Sequence, residues 1–569
     1  MFFFKSKYNF WLALSIATAI LFSLAGLKLA FQSPYTIQDD ARQHIFWMQQ
    51  FNAPELFSGD LIADYFQSVA PWGFTNLYKF INKLGINIFW LNKISPLLIG
   101  VVTSIYCFLV CLEIFPVPLA GFIATLLLNQ NLWMLDDLSS GTPRAFFYPL
   151  FLAFVYYLLK QSLLLCLLII ILQGLFYPQT VLLSAVVLII KLITEKNNRL
   201  FCLSGLLTAG VILLIYSLKT SQFGNVITVN EAKLLPEFYA EGRNTFFLDN
   251  PVTFWLSAQR SGFFPREWQY VLLCSFGLIL PWLKLLPNRF PLVTKINSNI
   301  RILWQVFLAA SIMFGLAHLF LFKLHLPSRY SQHTLRILIA LIDGITVAIL
   351  LNSFRHWFER KFTQYQPLTK NLISVGLISL LLYPTYAVQA YPYRLGYVEG
   401  KALELYQFLQ QQPKDYLIAT LSSEGDFIPT FAKKRVLVSQ EYAIPYHLDY
   451  YQSIRQRVKD LIHAQYSQNL TEIQNFINQY QIDLWLIDQN AFQVEYLNNN
   501  FWLKQFQPEL NNAISIVKQK QELVLARLGN ECNIFPNSEF KVLSASCIAN
   551  FIRSNEKYSN SINDEVYHY

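Results

Sequence analysis

The residues best suited to chemistry in this chain are carboxylates and guanidinium groups gathered in three short polar stretches between long apolar ones. The first is YTIQDDARQH (35–44), with adjacent acids at Asp39 and Asp40 and with Arg42 and His44 behind them. The second is LDDLSSGTPR (135–144), which supplies Asp136, Asp137 and Arg144. The third is HLPSRYSQHTLR (325–336), with His325, Arg329, His333 and Arg336. A guanidinium is permanently charged and can clamp a phosphate bidentately. A carboxylate in a partly desolvated setting gains basicity and can take a proton from a hydroxyl. A phosphate leaving group requires positive charge to hold the departing anion, and no general acid.

Each stretch also has a plainer reading. Asp39 as a helix N-cap and Asp40 in the first turn would together contribute about 1 kcal/mol to a helix. Asp136 and Asp137 fit a solvated loop, and the third stretch fits a basic anchor at a membrane surface. Adjacent helical residues do not face the same way, so Asp39 is expected as the base, with Asp40 supporting it or binding an ion. Asp39, Asp40 and Asp137 could share a Mg2+ or Mn2+, both of which favour oxygen ligands.

The elements that must position these groups are membrane spans. The chain has 569 residues, 54% hydrophobic and 14% charged, where soluble domains run at about 45–50% and about 25%. Apolar stretches such as Trp11 to Ala30 reach the ~20 residues that cross a hydrocarbon core of about 30 Å. About eleven spans are expected, near 9–30, 92–115, 117–134, 145–160, 162–177, 179–194, 200–218, 268–286, 302–323, 336–353 and 371–390. Lys5 and Lys7 place the N-terminus in the cytoplasm, and alternate threading puts the basic stretches 195–199, 284–301 and 355–370 inside. The formal charge of +9 is thus that of cytoplasmic loops, which argues against a nucleic-acid partner. All three polar stretches then fall on the outside.

Three regions follow: a transmembrane region over 1–391, an exterior α/β domain over 392–552 and a disordered polar tail over 553–569. The exterior domain is read from helix-period runs alternating with strand-like runs at 416–421, 435–439, 483–487 and 523–527. Tyr451, Ile454, Val458 and Leu461 predict one apolar helix face. Five of the seven cysteines (Cys107, Cys111, Cys166, Cys202, Cys274) lie in apolar spans as small hydrophobes. Cys532 and Cys547 lie outside the membrane, where they either pair, closing a loop of about 15 residues worth roughly 3 kcal/mol, or stand as two buried thiols. In the first outside loop, TNLYKFINKLG (75–85) predicts a helix with Leu77, Phe80, Ile81 and Leu84 on one face and Lys79 and Lys83 on the other, suited to a lipid surface. ARQHIFWMQQF after the acid pair and NEAKLLPEFYAEGRN in the loop 219–268 predict further surface helices. Asp343, in LIALIDGITVAILL, is either a functional acid below the same cavity or a polar contact between helices.

The order of one span, an acid pair opening a long outer loop with surface helices, about ten more spans and an exterior C-terminal domain resembles the GT-C superfamily of integral-membrane glycosyltransferases. DDARQH is similar to the Asp-Glu-Ala-Arg-Tyr type of motif of the aminoarabinose transferase and protein mannosyltransferase branch, matched at Asp39, Asp40, Ala41 and Arg42. Asp40 stands where that motif commonly has Glu, and the match ends before His44. The resemblance implies a polytopic α-helical enzyme of the outer face of the bacterial inner membrane. Its first-loop acid would be catalytic or metal-binding, and it would pass a sugar with inversion from a polyprenyl-phosphate carrier to a glycan, lipid or protein acceptor. Arg329 would be the main phosphate contact, with Arg42, His44, Arg144, His333 and Arg336 as further substrate contacts. The rival classes are a transporter or flippase for a lipid-linked glycan and a non-enzymatic scaffold. Gly-rich phosphate loops, nucleophile elbows and zinc-binding spacings are absent from the sequence.

Overall fold

The computed structural model describes residues 2–195, 198–219, 221–265, 276–361, 376 and 395–551. The expected span at 371–390, most of the first half of that at 268–286, the boundary at 391, Cys274 and the tail 553–569 lie outside the described residues, apart from position 376. The chain divides into two compact units, the first comprising Met1–Ala41, Ala70–Thr220 and Asp249–Val398, the second Arg42–Val69, Ser221–Leu248 and Glu399–Tyr569. The second unit therefore draws on both long loops as well as on the C-terminal region.

The first unit is helical, and the chain is a multi-pass membrane protein. Among the described residues five helices are long and apolar enough to cross a membrane: Tyr8–Ala30, Ile88–Ile114, Arg199–Leu218, Ser298–Leu319 and Ser328–Trp357. About eleven spans were expected. Four of those expectations, at 117–134, 145–160, 162–177 and 179–194, are helices of 15, 13, 14 and 16 residues. At 1.5 Å per residue such helices reach only about 20–24 Å, short of a hydrocarbon core of about 30 Å. Small residues let these helices approach closely. A Cβ on Gly344 would lie 2.7 Å from the Ala124 backbone nitrogen, so the Ser328–Lys361 and Pro118–Leu132 helices meet nearly backbone to backbone there.

The surface helix expected at 75–85 runs over Trp72–Lys83, and Gly85 follows its end at φ +85°. Its buried face is Phe74, Tyr78 and Asn82. Of the expected apolar face, Leu77 and Ile81 are half-buried while Phe80 is 59% and Leu84 61% exposed, as are Trp72 at 66% and Trp90 at 59% nearby. A stripe of exposed aromatic and aliphatic side chains beside Lys79 and Lys83 is what a helix lying at a lipid surface presents.

The second unit holds a four-stranded sheet in the order Arg435–Val436, Leu417–Thr420, Leu484–Asp488, Phe540–Ser544. The first two pairings are parallel and the last is antiparallel. Tyr451, Ile454, Val458 and Leu461 are buried as their spacing predicts. The run expected as a strand at 523–527 is instead a helix, Val524–Leu528, burying Val524, Leu525 and Leu528. A five-residue apolar run has too few residues to show its period, and here packing at i and i+4 decides it. Of the two other stretches expected at the lipid surface, ARQHIFWMQQF is largely buried, while NEAKLLPEFYAEGRN is buried only in part, with Leu234 83% exposed. Phe46, Trp47 and Met48 are buried, and in the second loop Phe238 and Glu237 are buried, Glu237 accepting from Arg455. Cys532 and Cys547 are disulfide-bonded, Cα to Cα 5.5 Å.

Asp60 caps the Leu61–Val69 helix, its Oδ2 accepting from the Ala63 N–H at 2.9 Å. Burial pushes its carboxyl from 3.8 up to about 6, against the pull of that N–H and of the Arg457 and Arg435 guanidinium groups. A raised folded-state value means that the protonated form favours folding. The stabilisation is complete below about pH 4 and is lost as the pH rises through about 6, a difference of ~3 kcal/mol. Asp60→Asn keeps a side-chain acceptor for the cap and removes the titration. Hydrogen exchange of amides 61–69 should therefore accelerate between pH 4 and 7, beyond its intrinsic pH dependence, in the parent and not in the variant.

Candidate functional site

A cavity of about 230 Å3 in the first unit is lined by Asp136, Asp137, Arg144, Gln259, Arg329 and Arg336, with Leu135, Ser328, Gln332 and His333. Local sequence explains how the charged groups arrive there. The Pro118–Leu132 helix stops, Leu135 is extended (φ −139°, ψ 169°), and the turn Asp136–Ser139 presents its two acids at its start. Gly141 then takes φ +57° against Asn92, whose carbonyl oxygen would lie 2.9 Å from any Cβ there. Pro143 opens the short 3-10 turn Pro143–Phe146 that delivers Arg144. From the other side, the Ser328–Lys361 helix contributes Arg329, Gln332, His333 and Arg336. These stand at i, i+3, i+4 and i+7 and so share one face.

Asp137 lies at the centre and is only 4% exposed. Its Oδ2 accepts from Arg336 and from the Tyr148 hydroxyl, the latter at 3.0 Å. Its Oδ1 lies 3.5 Å from Arg144 Nε and 3.6 Å from Arg329 Nη1. Tyr148 in turn lies 2.7 Å from His333 Nδ1 and accepts from Arg336 at 3.0 Å. Arg144 connects this cluster to the first loop, since its Nη2 donates to Asp40 Oδ2 at 2.7 Å and lies 3.1 Å from Asp136 Oδ2. Asp39, the first residue of the Asp39–Ile45 helix, is half-buried, and its backbone N–H donates to the Gly396 carbonyl at 2.7 Å.

The structure thus brings Asp40, Asp137, Arg144, Arg329, His333 and Arg336 into one cluster, with Asp39 adjacent in sequence to Asp40. Arg329 is the least committed of the arginines, because its contacts are the longest, 3.4 Å to His333 Nε2 and 3.6 Å to Asp137; its buried Nε, like those of Arg144 and Arg336, has no hydrogen-bond partner among the described residues. Arg42 and His44 belong to the second unit. There Arg42 donates to Glu441 at 3.0 Å and lies over the Phe427 ring, 4.6 Å to its centroid. His325 occupies a turn at φ +67°, where burial and the Arg329, Arg260, His333 and Arg144 charges push its imidazole down to about 3. It is neutral at physiological pH.

Three participants were missed from sequence. Tyr148 stands four residues after Arg144, one helical turn further along, and a hydroxyl in an apolar run was its only signal. Gln332 was legible as part of the i, i+3, i+4, i+7 polar stripe. Gln259 had no signal, because its place depends on a loop folding back over another helix.

The expected metal set of Asp39, Asp40 and Asp137 does not fit an ion as arranged. Both Asp137 oxygens face guanidinium groups, and Arg144 is the cation that Asp40 and Asp136 share. Among the described residues no group of three or more His, Cys, Asp or Glu is arranged to hold a metal.

Asp137 offsets three buried or half-buried positive charges, and removing one partner of a buried ion pair costs about 3–5 kcal/mol. Asp136 is more exposed, its side chain 32% accessible, and exposed pairs are worth about 0–1 kcal/mol. Asp137→Asn is therefore expected to lower the thermal midpoint of the detergent-solubilised protein clearly more than Asp136→Asn, as measured side by side.

No family model and no curated protein matches the sequence. Among solved structures the chain is similar to the oligosaccharyltransferase AglB of Archaeoglobus fulgidus. The apo form aligns with a TM-score of 0.49 at 11% identity over 87% of this chain and 72% of that one. The form tethered to an acceptor peptide containing the NVT sequon gives 0.48 at 10% identity, and the complex with an inhibitory peptide and a dolichol-phosphate gives 0.49 at 11%, each over the same shares.

Proposed function

We propose that this protein is an inverting glycosyltransferase of the GT-C type, moving a sugar from a polyprenyl-phosphate carrier to an acceptor hydroxyl at the outer face of the inner membrane. In this reading the N-terminus is cytoplasmic and the second unit exterior. The observation that supports it is the cluster of Arg144, Arg329 and Arg336 around one cavity, joined by the Asp40–Arg144 pair to the acids of the first loop. A cavity with three guanidinium groups suits a phosphate, and acids beside it suit the proton of an attacking hydroxyl.

Asp39 takes the acceptor proton as the acceptor oxygen attacks the anomeric carbon. The bond from that carbon to the phosphate oxygen breaks in the same displacement, its electron pair leaves on the phosphate, and the configuration inverts. Arg329, with donors to spare, holds the departing anion. Asp40 holds Arg144 toward the cavity through their 2.7 Å ion pair.

The test is transfer from a labelled polyprenyl-phosphate sugar by the purified protein. Asp39→Asn should lower kcat by about 10²–10⁴-fold, the usual contribution of a general base, with donor binding retained. Arg329→Ala should weaken donor binding and turnover together. Undiminished transfer by Asp39→Asn would remove the assigned base.

A further inference from the structure

The cavity has one wall that neither the acids nor the arginines supply. Residues 258–262 cross the start of the Ser328–Lys361 helix as a strap, and every one of its five carbonyls accepts a bond from a flanking helix. Gln332 Nε2 donates to Ala258 at 2.9 Å and to Gly262 at 3.1 Å. Ser328 donates from its hydroxyl to Gln259 at 2.8 Å and from its backbone N–H to Arg260 at 3.2 Å. His318 Nε2 donates to Ser261 at 3.0 Å. Within the strap the Gly262 N–H returns to the Ala258 carbonyl at 2.9 Å. The bend is so tight that a Cβ on Gly262 would lie 2.3 Å from the Ala258 nitrogen, a backbone atom that has no way to yield alone.

Surface loops seldom have all their carbonyls satisfied by neighbouring helices, and the result is a segment with little freedom left to lose when a ligand arrives. Of the cavity's uncharged polar side chains, Ser328 and the Gln332 amide nitrogen are spent on the strap itself. Gln259 is exposed, and its side chain makes no hydrogen bond to any described residue. A carboxamide both donates and accepts, which suits a sugar hydroxyl, whereas a phosphate requires donors or cations.

We infer that the 258–262 strap is a preorganised wall of the donor cavity and that Gln259 on it is a specificity-determining contact for a hydroxyl of the donor's sugar. The inference rests on the donor reading above, and the test separates the two. The parent and Gln259→Ala are assayed in detergent with polyprenyl-phosphate-linked glucose, mannose, galactose and arabinose, and kcat/KM is compared between sugars. Gln259→Ala is expected to flatten the parent's preference between its best and second-best donors by about tenfold, the loss of one hydrogen bond. Gly262→Ala, which forces the strap open, should flatten it as well while still eluting as a monodisperse membrane protein. Unchanged ratios in either variant, with a parent that transfers sugar, overturn this inference alone. A parent that transfers none of the four sugars overturns the glycosyltransferase reading and this inference with it.

Discussion

Three guanidinium groups do not share one cavity unless something among them carries opposite charge, and here that group is the Asp137 carboxylate. It is nearly inaccessible to water, and it touches or approaches Arg144, Arg329, Arg336 and the Tyr148 hydroxyl. A buried charge is tolerated only when its partners are in place, so the acid loop and the polar face of the Ser328–Lys361 helix constrain one another. The placement of Asp40 follows from the same constraint at one remove, through Arg144. A site built this way is held by mutual neutralisation, and Arg329, whose contacts are the longest, is the guanidinium best placed to turn to an incoming anion.

Much of this was legible in the sequence because it depends on local pattern. The acid pairs, the arginines of 329–336 and the cysteines of the exterior region announce themselves by residue type against an apolar background. The buried face of the Leu448–Gln465 helix follows from its period. What was not legible depends on contacts between distant segments. Arg42 reads as a site residue from its neighbours Asp39 and Asp40, yet Glu441, some four hundred residues on, claims it. The strand Phe540–Ser544 has too short an alternation to register alone and exists because Leu484–Asp488 offers it a ladder.

The Trp72–Lys83 helix forms where its period and its closing glycine predict. Protein covers Phe74, Tyr78 and Asn82, whereas Phe80 and Leu84 of the apolar stripe expected at the lipid surface are left outward and Leu77 and Ile81 are half-buried. In an aqueous protein that arrangement would be unfavourable. In a chain with spans on either side, the outward stripe has hydrocarbon for a solvent, and the ordinary rule for locating a core is inverted.

The Cys532–Cys547 bridge encloses the strand Phe540–Ser544, which lies at one edge of its sheet and is bonded on its outer side to residues 532–534. Cutting that tether frees an edge whose departure would bare the backbone of Leu484–Asp488, a row of unsatisfied amides and carbonyls ready to recruit a strand from another molecule. The redox state of the compartment in which the chain matures therefore bears on its colloidal behaviour. Material produced under reducing conditions should be lost to self-association before any defect in chemistry has a chance to show.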